Sequence, residues 1–133
     1  PRTWFAGDVQ RWVGRRWQEI DLLRWLPAVE PPLEVGQRHV VFYRRSCPHC
    51  EEMFWTALVR PELARTVLAV EVPERPDRLR GEQSWPLPAT EVQHAALPLG
   101  TDWIIETPLV VTLQDGVVTC AEEGDYHRCL GVR

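Results

Sequence analysis

The sequence predicts a mixed α/β domain, built as strand, helix and strand followed by a β-hairpin, behind a Trp-rich N-terminal extension. Three observations predict it. The first is a short, apolar, β-branched run from His39 to Arg44 that leads directly into apolar residues at helical spacing, Met53, Phe54, Ala57 and Leu58. The second is another apolar run, Val67 to Val72, closed by Pro73. Strand, helix and strand within about 35 residues is the spacing of a parallel pair joined by a crossover helix. The third is the tail of the chain, where Leu109–Leu113 and Val117–Cys120 flank Gln114-Asp115-Gly116. Asp-Gly is a favoured hairpin pair, so these two strands run antiparallel and the sheet is mixed.

A chain of 133 residues fits one domain. At that size it buries roughly two-thirds of its unfolded surface, so a core forms without staples. Residues 1–37 read as an extension packed on the core, and residues 38–133 as the main domain. The net charge is −4, and every basic residue is Arg, with no basic block. A nucleic-acid partner is not expected, because it needs a Lys/Arg face. No run of about 18 apolar residues is present to span a membrane. No signal peptide is visible. The chain begins at Pro1 rather than Met, which reads as a processed or excised form, with an export signal or membrane anchor to be sought upstream.

The extension carries Trp4, Trp12, Trp17 and Trp25. With nothing polar arranged around them, packing is the expected role rather than ligand stacking. Val9, Arg11 and Val13 alternate like a strand, and Gly14-Arg15-Arg16 reads as a turn. Asp21 is placed to cap a short helix carrying Leu22, Leu23 and Leu26, ended by Pro27. Pro31 to Gly36 reads as a connector. Pro61 stops or kinks the Met53–Leu58 helix, with a further turn before Val67. Glu74 to Glu106 reads as a long polar loop, rich in Arg and Pro, with a helix from Ala89 or Thr90 to Leu97. Trp103-Ile104-Ile105 leads into Thr107-Pro108, and one helical turn is expected near the end.

Chemistry concentrates at Ser46-Cys47-Pro48-His49-Cys50, the joint between the first strand and its helix. A Cys-x-x-Cys beside a βαβ unit reads as a redox dithiol. Free N–H groups and the helix dipole at that end favour a thiolate. Cys47 takes the N-cap with its sulfur exposed, and Pro48 suits the first helical position, where its missing N–H costs nothing. Cys50 lies one turn deeper. Cys47 is therefore the attacking thiol and Cys50 the resolving one. His49 tunes the pair: charge or a ring N–H near Cys47 stabilises the reduced form and makes the disulfide a stronger oxidant. A static disulfide or half a zinc site is the simpler alternative, but a zinc site wants a second pair at similar spacing. A copper site on the dithiol has only Met53 for thioether support.

Phe42-Tyr43-x-x-x-Cys47-Pro48-His49-Cys50, followed by an apolar helix, resembles the thioredoxin-fold oxidoreductases, and its Cys-Pro-His-Cys resembles the DsbA-type oxidases. Thr107-Pro108, ahead of Leu109-Val110-Val111, is similar to the family's cis-proline position. The resemblance implies a cis Thr107–Pro108 bond facing the dithiol, with the Thr107 backbone as a docking edge for substrate. It covers His39 to about Gly124, leaving Glu74 to Glu106 unmatched. Two departures stand out. The chain lacks room for the large inserted helical domain of DsbA-type proteins. The buried acidic residue common in thioredoxins is replaced by Val41, leaving Glu71 as a candidate to handle protons. Gly124-Asp125 resembles a glutathione-binding turn without its usual double glycine.

Cys120 and Cys129 form the second pair. The returning hairpin strand is expected to bring Cys120 to the same end of the sheet as Cys47. The simpler reading is a disulfide that pins the tail, contributing about 2–3 kcal/mol. The sharper one is a dithiol that exchanges with Cys47. Tyr126 and His127 are expected to cover the redox face, and His39 and His94 to be ordinary surface or strand-end residues. The expected function is thiol:disulfide exchange by Cys47 and Cys50, as oxidant or isomerase, outside the cytoplasm. No cofactor or metal is expected. Substrates are protein or small-molecule thiols, and the redox partner is a protein, membrane-bound forms included. The rival readings are a thioredoxin- or glutaredoxin-like reductase and a module that binds a partner or a metal.

Overall fold

The computed structural model describes residues 2–74 and 84–133. The Arg-rich stretch Arg75 to Arg80 of the expected polar loop lies outside the described residues. The molecule is mixed α/β with a mixed five-stranded sheet and few helices. The strands are β1 (Arg2–Phe5), β2 (Gln37–Tyr43), β3 (Val67–Glu71), β4 (Gln93–Ala96), β5 (Thr101–Ile104), β6 (Leu109–Gln114) and β7 (Val117–Glu123). The helices are α1 (Pro48–Thr56), α2 (Pro61–Ala64) and α3 (His127–Leu130). The main sheet has the order β4-β3-β2-β6-β7, while β1 and β5 pair separately. β2, β3 and β4 are parallel to one another, and β6 and β7 are antiparallel.

The alternation of each central strand divides two apolar layers. Val41 and Tyr43 of β2, Ala69 of β3 and Val110 of β6 face α1, where Met53, Phe54, Ala57 and Leu58 are buried. Val40, Phe42, Leu68, Val70, Leu109 and Val111 face the other way, onto Val9, Trp12, Ile20, Leu22, Leu23 and Leu33. The N-terminal stretch therefore packs on one face of the sheet, beside Leu97, Trp103 and Ile105. Burying one such Leu, Phe or Val contributes about 1.5–3 kcal/mol. The tryptophans pack as expected: Trp12 is buried, and Trp4 and Trp25 approach Trp103 with ring centroids 5.8 and 5.9 Å away.

The βαβ unit and the hairpin form where the sequence placed them. At the hairpin tip Asp115 has φ +51° and Gly116 φ +83°, the conformation Asp-Gly supplies. Asp115 Oδ1 also accepts the Gly36 N–H at 2.8 Å, tying the tip to the connector before β2.

Three local expectations are corrected. The helix expected from Ala89 or Thr90 to Leu97 is replaced by β4, which pairs parallel with β3. So few residues between Pro88 and Pro98 make a marginal helix, and the open edge of β3 offers a ladder instead. The strand-like alternation of Val9, Arg11 and Val13 is a 3-10 turn, Val9–Trp12, whose N-cap Asp8 accepts the Gln10 N–H at 3.1 Å. Asp21 is the first residue of a 3-10 turn, Asp21–Trp25, and Ile20 holds the cap position. Leu22 and Leu23 are both fully buried there, so sheet packing rather than capping fixes the turn.

Candidate functional site

The loop from β2 to α1 is tied down before the dithiol begins. Arg44 donates to the carbonyls of Ile105 at 2.8 Å and Trp103 at 2.6 Å. Arg45 donates through Nε to the Trp85 carbonyl at 2.9 Å. Ser46 donates its N–H, at 3.2 Å, and its hydroxyl to Glu74 Oε1. These bonds hold the start of α1 against the segments entering β4 and β6.

Cys47 is the N-cap of α1, with extended φ and ψ of −95° and 110°, and Pro48 opens the first turn. Cys47 Sγ accepts the Cys50 N–H at 3.1 Å. The two cysteines are paired as a disulfide with Cα atoms 5.2 Å apart. Cys47 is half-buried and Cys50 fully buried, as their positions in the first turn require.

Facing them is Thr107–Pro108, whose peptide bond is cis. The Thr107 carbonyl oxygen lies 3.6 Å from Cys47 Sγ. Beside it, the Gly124 N–H donates to the Pro108 carbonyl at 2.8 Å. Gly124 has φ +82°, and a Cβ there would meet Glu106 Oε1 at 2.6 Å. The Glu106 side chain is exposed and can move aside, so it is the positive φ that favours glycine, and the turn leads into Asp125 to His127 beside α1.

His49 turns towards that loop. Its Nε2 lies 3.5 Å from Glu52 Oε2 and 3.7 Å from Asp125 Oδ1. Its ring stands edge-on to Tyr126 with centroids 5.1 Å apart. Tyr126 is buried, donates its hydroxyl to Glu52 at 2.5 Å and stacks on His127 at 4.1 Å. Burial and the Glu52 carboxylate push the Tyr126 hydroxyl above its ordinary pKa. The His127 ring and the Tyr126 N–H hold the Asp125 carboxyl below its usual range. Tyr126 and His127 thus border the dithiol, as expected, and carboxylates share the His49 ring.

Proton-handling groups are sparse beneath the dithiol. Val41, on the strand that leads to the dithiol, is apolar and buried. Glu71 meets the Tyr43 hydroxyl at 3.5 Å, and burial, then that carboxylate, raise the Tyr43 pKa strongly.

The second pair is a disulfide between Cys120 and Cys129, with S–S 2.08 Å. It does not sit where the sequence reading put Cys120. β7 runs three residues beyond Cys120, to Glu123, which pairs with Leu109, while Cys120 pairs with Thr112. Three residues at about 3.4 Å each set Cys120 roughly 10 Å back from the Pro108 end. The tail is fixed there by more than sulfur. Cys129 N–H donates to Glu122 at 3.0 Å, and the Cys129 carbonyl accepts the Thr112 hydroxyl at 2.9 Å. That hydroxyl has one hydrogen, so His39 Nδ1, 2.9 Å away, carries the proton and donates to it. His39 is therefore a buried strand residue, and desolvation lowers its pKa to about 4. His94 is exposed on β4.

Sequence reasoning missed Glu74, and it did not foresee that Glu52 and Asp125 meet His49. Asp125 entered the sequence reading only through the Gly124-Asp125 turn, with nothing to link it to His49. No known protein family, curated protein or solved structure matches the chain.

Proposed function

We propose that this chain is a thioredoxin-like thiol:disulfide oxidoreductase that exchanges disulfides through Cys47 and Cys50. One observation carries the reading. A half-buried cysteine caps a helix, accepts an N–H from its buried partner at 3.1 Å, and faces the carbonyl of a cis Thr107–Pro108 bond at 3.6 Å. The order β3-β2-β6-β7, with a helix between the two parallel strands, supports the thioredoxin-like assignment. Two disulfides in a chain with four cysteines support an extracytoplasmic location.

In the oxidising direction a substrate thiolate attacks Cys47 Sγ. The Cys47–Cys50 bond breaks and its electron pair leaves on Cys50, which takes a proton. A second substrate thiolate then attacks the substrate sulfur of the mixed disulfide and releases Cys47 as thiolate. The substrate loses two electrons and the dithiol gains them. Cys47 is the better leaving group because the Cys50 N–H and the α1 dipole stabilise its thiolate. The Thr107 carbonyl pulls the other way, since it accepts only from the protonated thiol. The backbone at half-buried Thr107, beside Cys47, offers an edge for an extended substrate segment. With no basic block in the sequence, the substrates in this reading are thiols and disulfides rather than nucleic acid.

The direct test is oxidation of a dithiol peptide, with insulin reduction as the reverse assay. Cys47→Ser is expected to abolish both. Unchanged turnover in that variant removes Cys47 from the mechanism. Equilibration with a glutathione redox buffer then sets direction: a potential close to that of thioredoxin overturns the oxidant assignment in favour of a reductase.

A further inference from the structure

A second set of donor atoms stands at the rim of the dithiol, and the exchange chemistry uses only one of its members. His49, Asp125 and His127 each offer a ligand atom, and these atoms lie within 4.8 Å of one another. Glu52 Oε2 completes the set at 3.5 Å from His49 Nε2. Zinc bonds to imidazole nitrogen at about 2.0–2.1 Å in tetrahedral geometry, which puts neighbouring ligand atoms about 3.3 Å apart. The two His49 separations, 3.5 Å to Glu52 and 3.7 Å to Asp125, fall close to that edge. The 2.6 Å contact between His127 Nδ1 and Asp125 Oδ1 is a hydrogen bond, and ring rotation at His127 opens it to the same edge.

The donors are held rather than merely adjacent. His49 and Glu52 lie one turn apart on α1. Asp125 and His127 flank Tyr126, whose buried ring packs against both histidines and whose hydroxyl fixes Glu52. A third to a half of each donor side chain stays exposed, so an ion has a path in. Two imidazoles with carboxylates suit a borderline transition metal, whereas magnesium and calcium prefer oxygen alone.

We propose that His49, Asp125 and His127, with Glu52 as fourth ligand, form a divalent transition-metal site beside the dithiol. An ion there joins α1 to the turn between β7 and α3. It also holds His49, the residue between the two cysteines. The alternative is a network of hydrogen bonds and ion pairs with no affinity for metal.

Zinc sulfate titrated calorimetrically into the tag-free, fully oxidised protein separates the two. Every cysteine is then in a disulfide, so no thiolate binds zinc, and the outcome is independent of the redox reading. One zinc per chain is expected. Loss of an outer-shell partner weakens metal sites by about 10- to 100-fold, and His49→Ala and His127→Ala, which remove ligands, are expected to cost at least that. His94→Ala is expected to bind like the wild type. Imidazole NMR signals of the unmutated protein give a second readout: those of His49 and His127 shift on zinc addition, and those of His39 and His94 do not. No saturable binding, binding that survives both His49→Ala and His127→Ala, or equal affinity for magnesium each overturns the site.

Discussion

The two disulfides close short loops in the same sheet-and-helix layer, yet they sit on different elements. Cys47–Cys50 sits at a helix start, with one sulfur half-buried and an N–H aimed at it. Cys120–Cys129 joins the middle of β7 to a tail whose backbone is already held by Glu122 and Thr112. Under the proposed exchange chemistry, the first pair opens to a thiolate favoured by the Cys50 N–H and the start of α1. In the second, Cys120 is half-buried too and accepts from Arg128 Nη1 at 3.2 Å, but it lies within a strand rather than at a helix start. A donor meets one sulfur in each pair, so under the proposed exchange chemistry the helix start and the facing Thr107 carbonyl, not a nearby donor alone, set Cys47 apart.

Four outcomes would sharpen or break this contrast. The largest is a difference in reduction potential. Under graded reduction with alkylation and mass spectrometry, Cys47 is expected to label first, with Cys120 and Cys129 labelling only under conditions at least about 30 mV more reducing, a tenfold difference in equilibrium constant. Equal labelling of both pairs erases the distinction. The next is a stability effect. The double substitution Cys120→Ala and Cys129→Ala is expected to lower unfolding free energy by about 2–3 kcal/mol in urea while leaving exchange activity intact. Loss of activity without loss of fold would instead make the second pair part of the redox path.

The third concerns the hydrogen-bond chain under the tail. His39 has its folded pKa lowered to about 4. Its unfolded value is about 6.5. Between these values the unfolded chain binds the extra proton, so stability is full above pH 6.5, declines as pH falls to about 4, and levels off below. From pH 7 to pH 5 this removes about 2 kcal/mol. Urea unfolding at both pH values should show that loss in the wild type and lack most of it in His39→Gln. The smallest effect belongs to His49. Because Glu52 and Asp125 share its ring, His49→Asn measured with EDTA present is expected to move the dithiol's equilibrium with glutathione by no more than about tenfold, roughly 30 mV. A larger change would mean that the imidazole acts on Cys47 more strongly than its carboxylate neighbours allow.

What the sequence made legible was local or strongly patterned. The dithiol, the N-cap role of Cys47, the βαβ unit and the Asp-Gly hairpin all rest on neighbours within one element. β4 was not legible, because Gln93-His94-Ala95-Ala96 has no strand composition and owes its form to the open edge of β3. β1 and β5 were not legible as strands, since they find each other across almost the whole chain. The level of Cys120 was misplaced because Ala121-Glu122-Glu123 reads as the end of a strand but continues the ladder to Leu109. The His49 cluster unites residues far apart in sequence, and no spacing rule reaches from a helix start to a turn after the last strand.

The pairing of β1 with β5 has its own consequence for how the chain is made. Arg2 aligns with Thr101 and Phe5 with Ile104, in parallel register. A ribosome releases the first of these strands long before the second. During synthesis the Trp-bearing amino-terminal stretch therefore has no ladder partner, and its apolar side chains wait until the hairpin region is nearly complete. Such a long closure is entropically costly and slow. The interval in which this stretch is unpaired is when a chaperone would have most to hold.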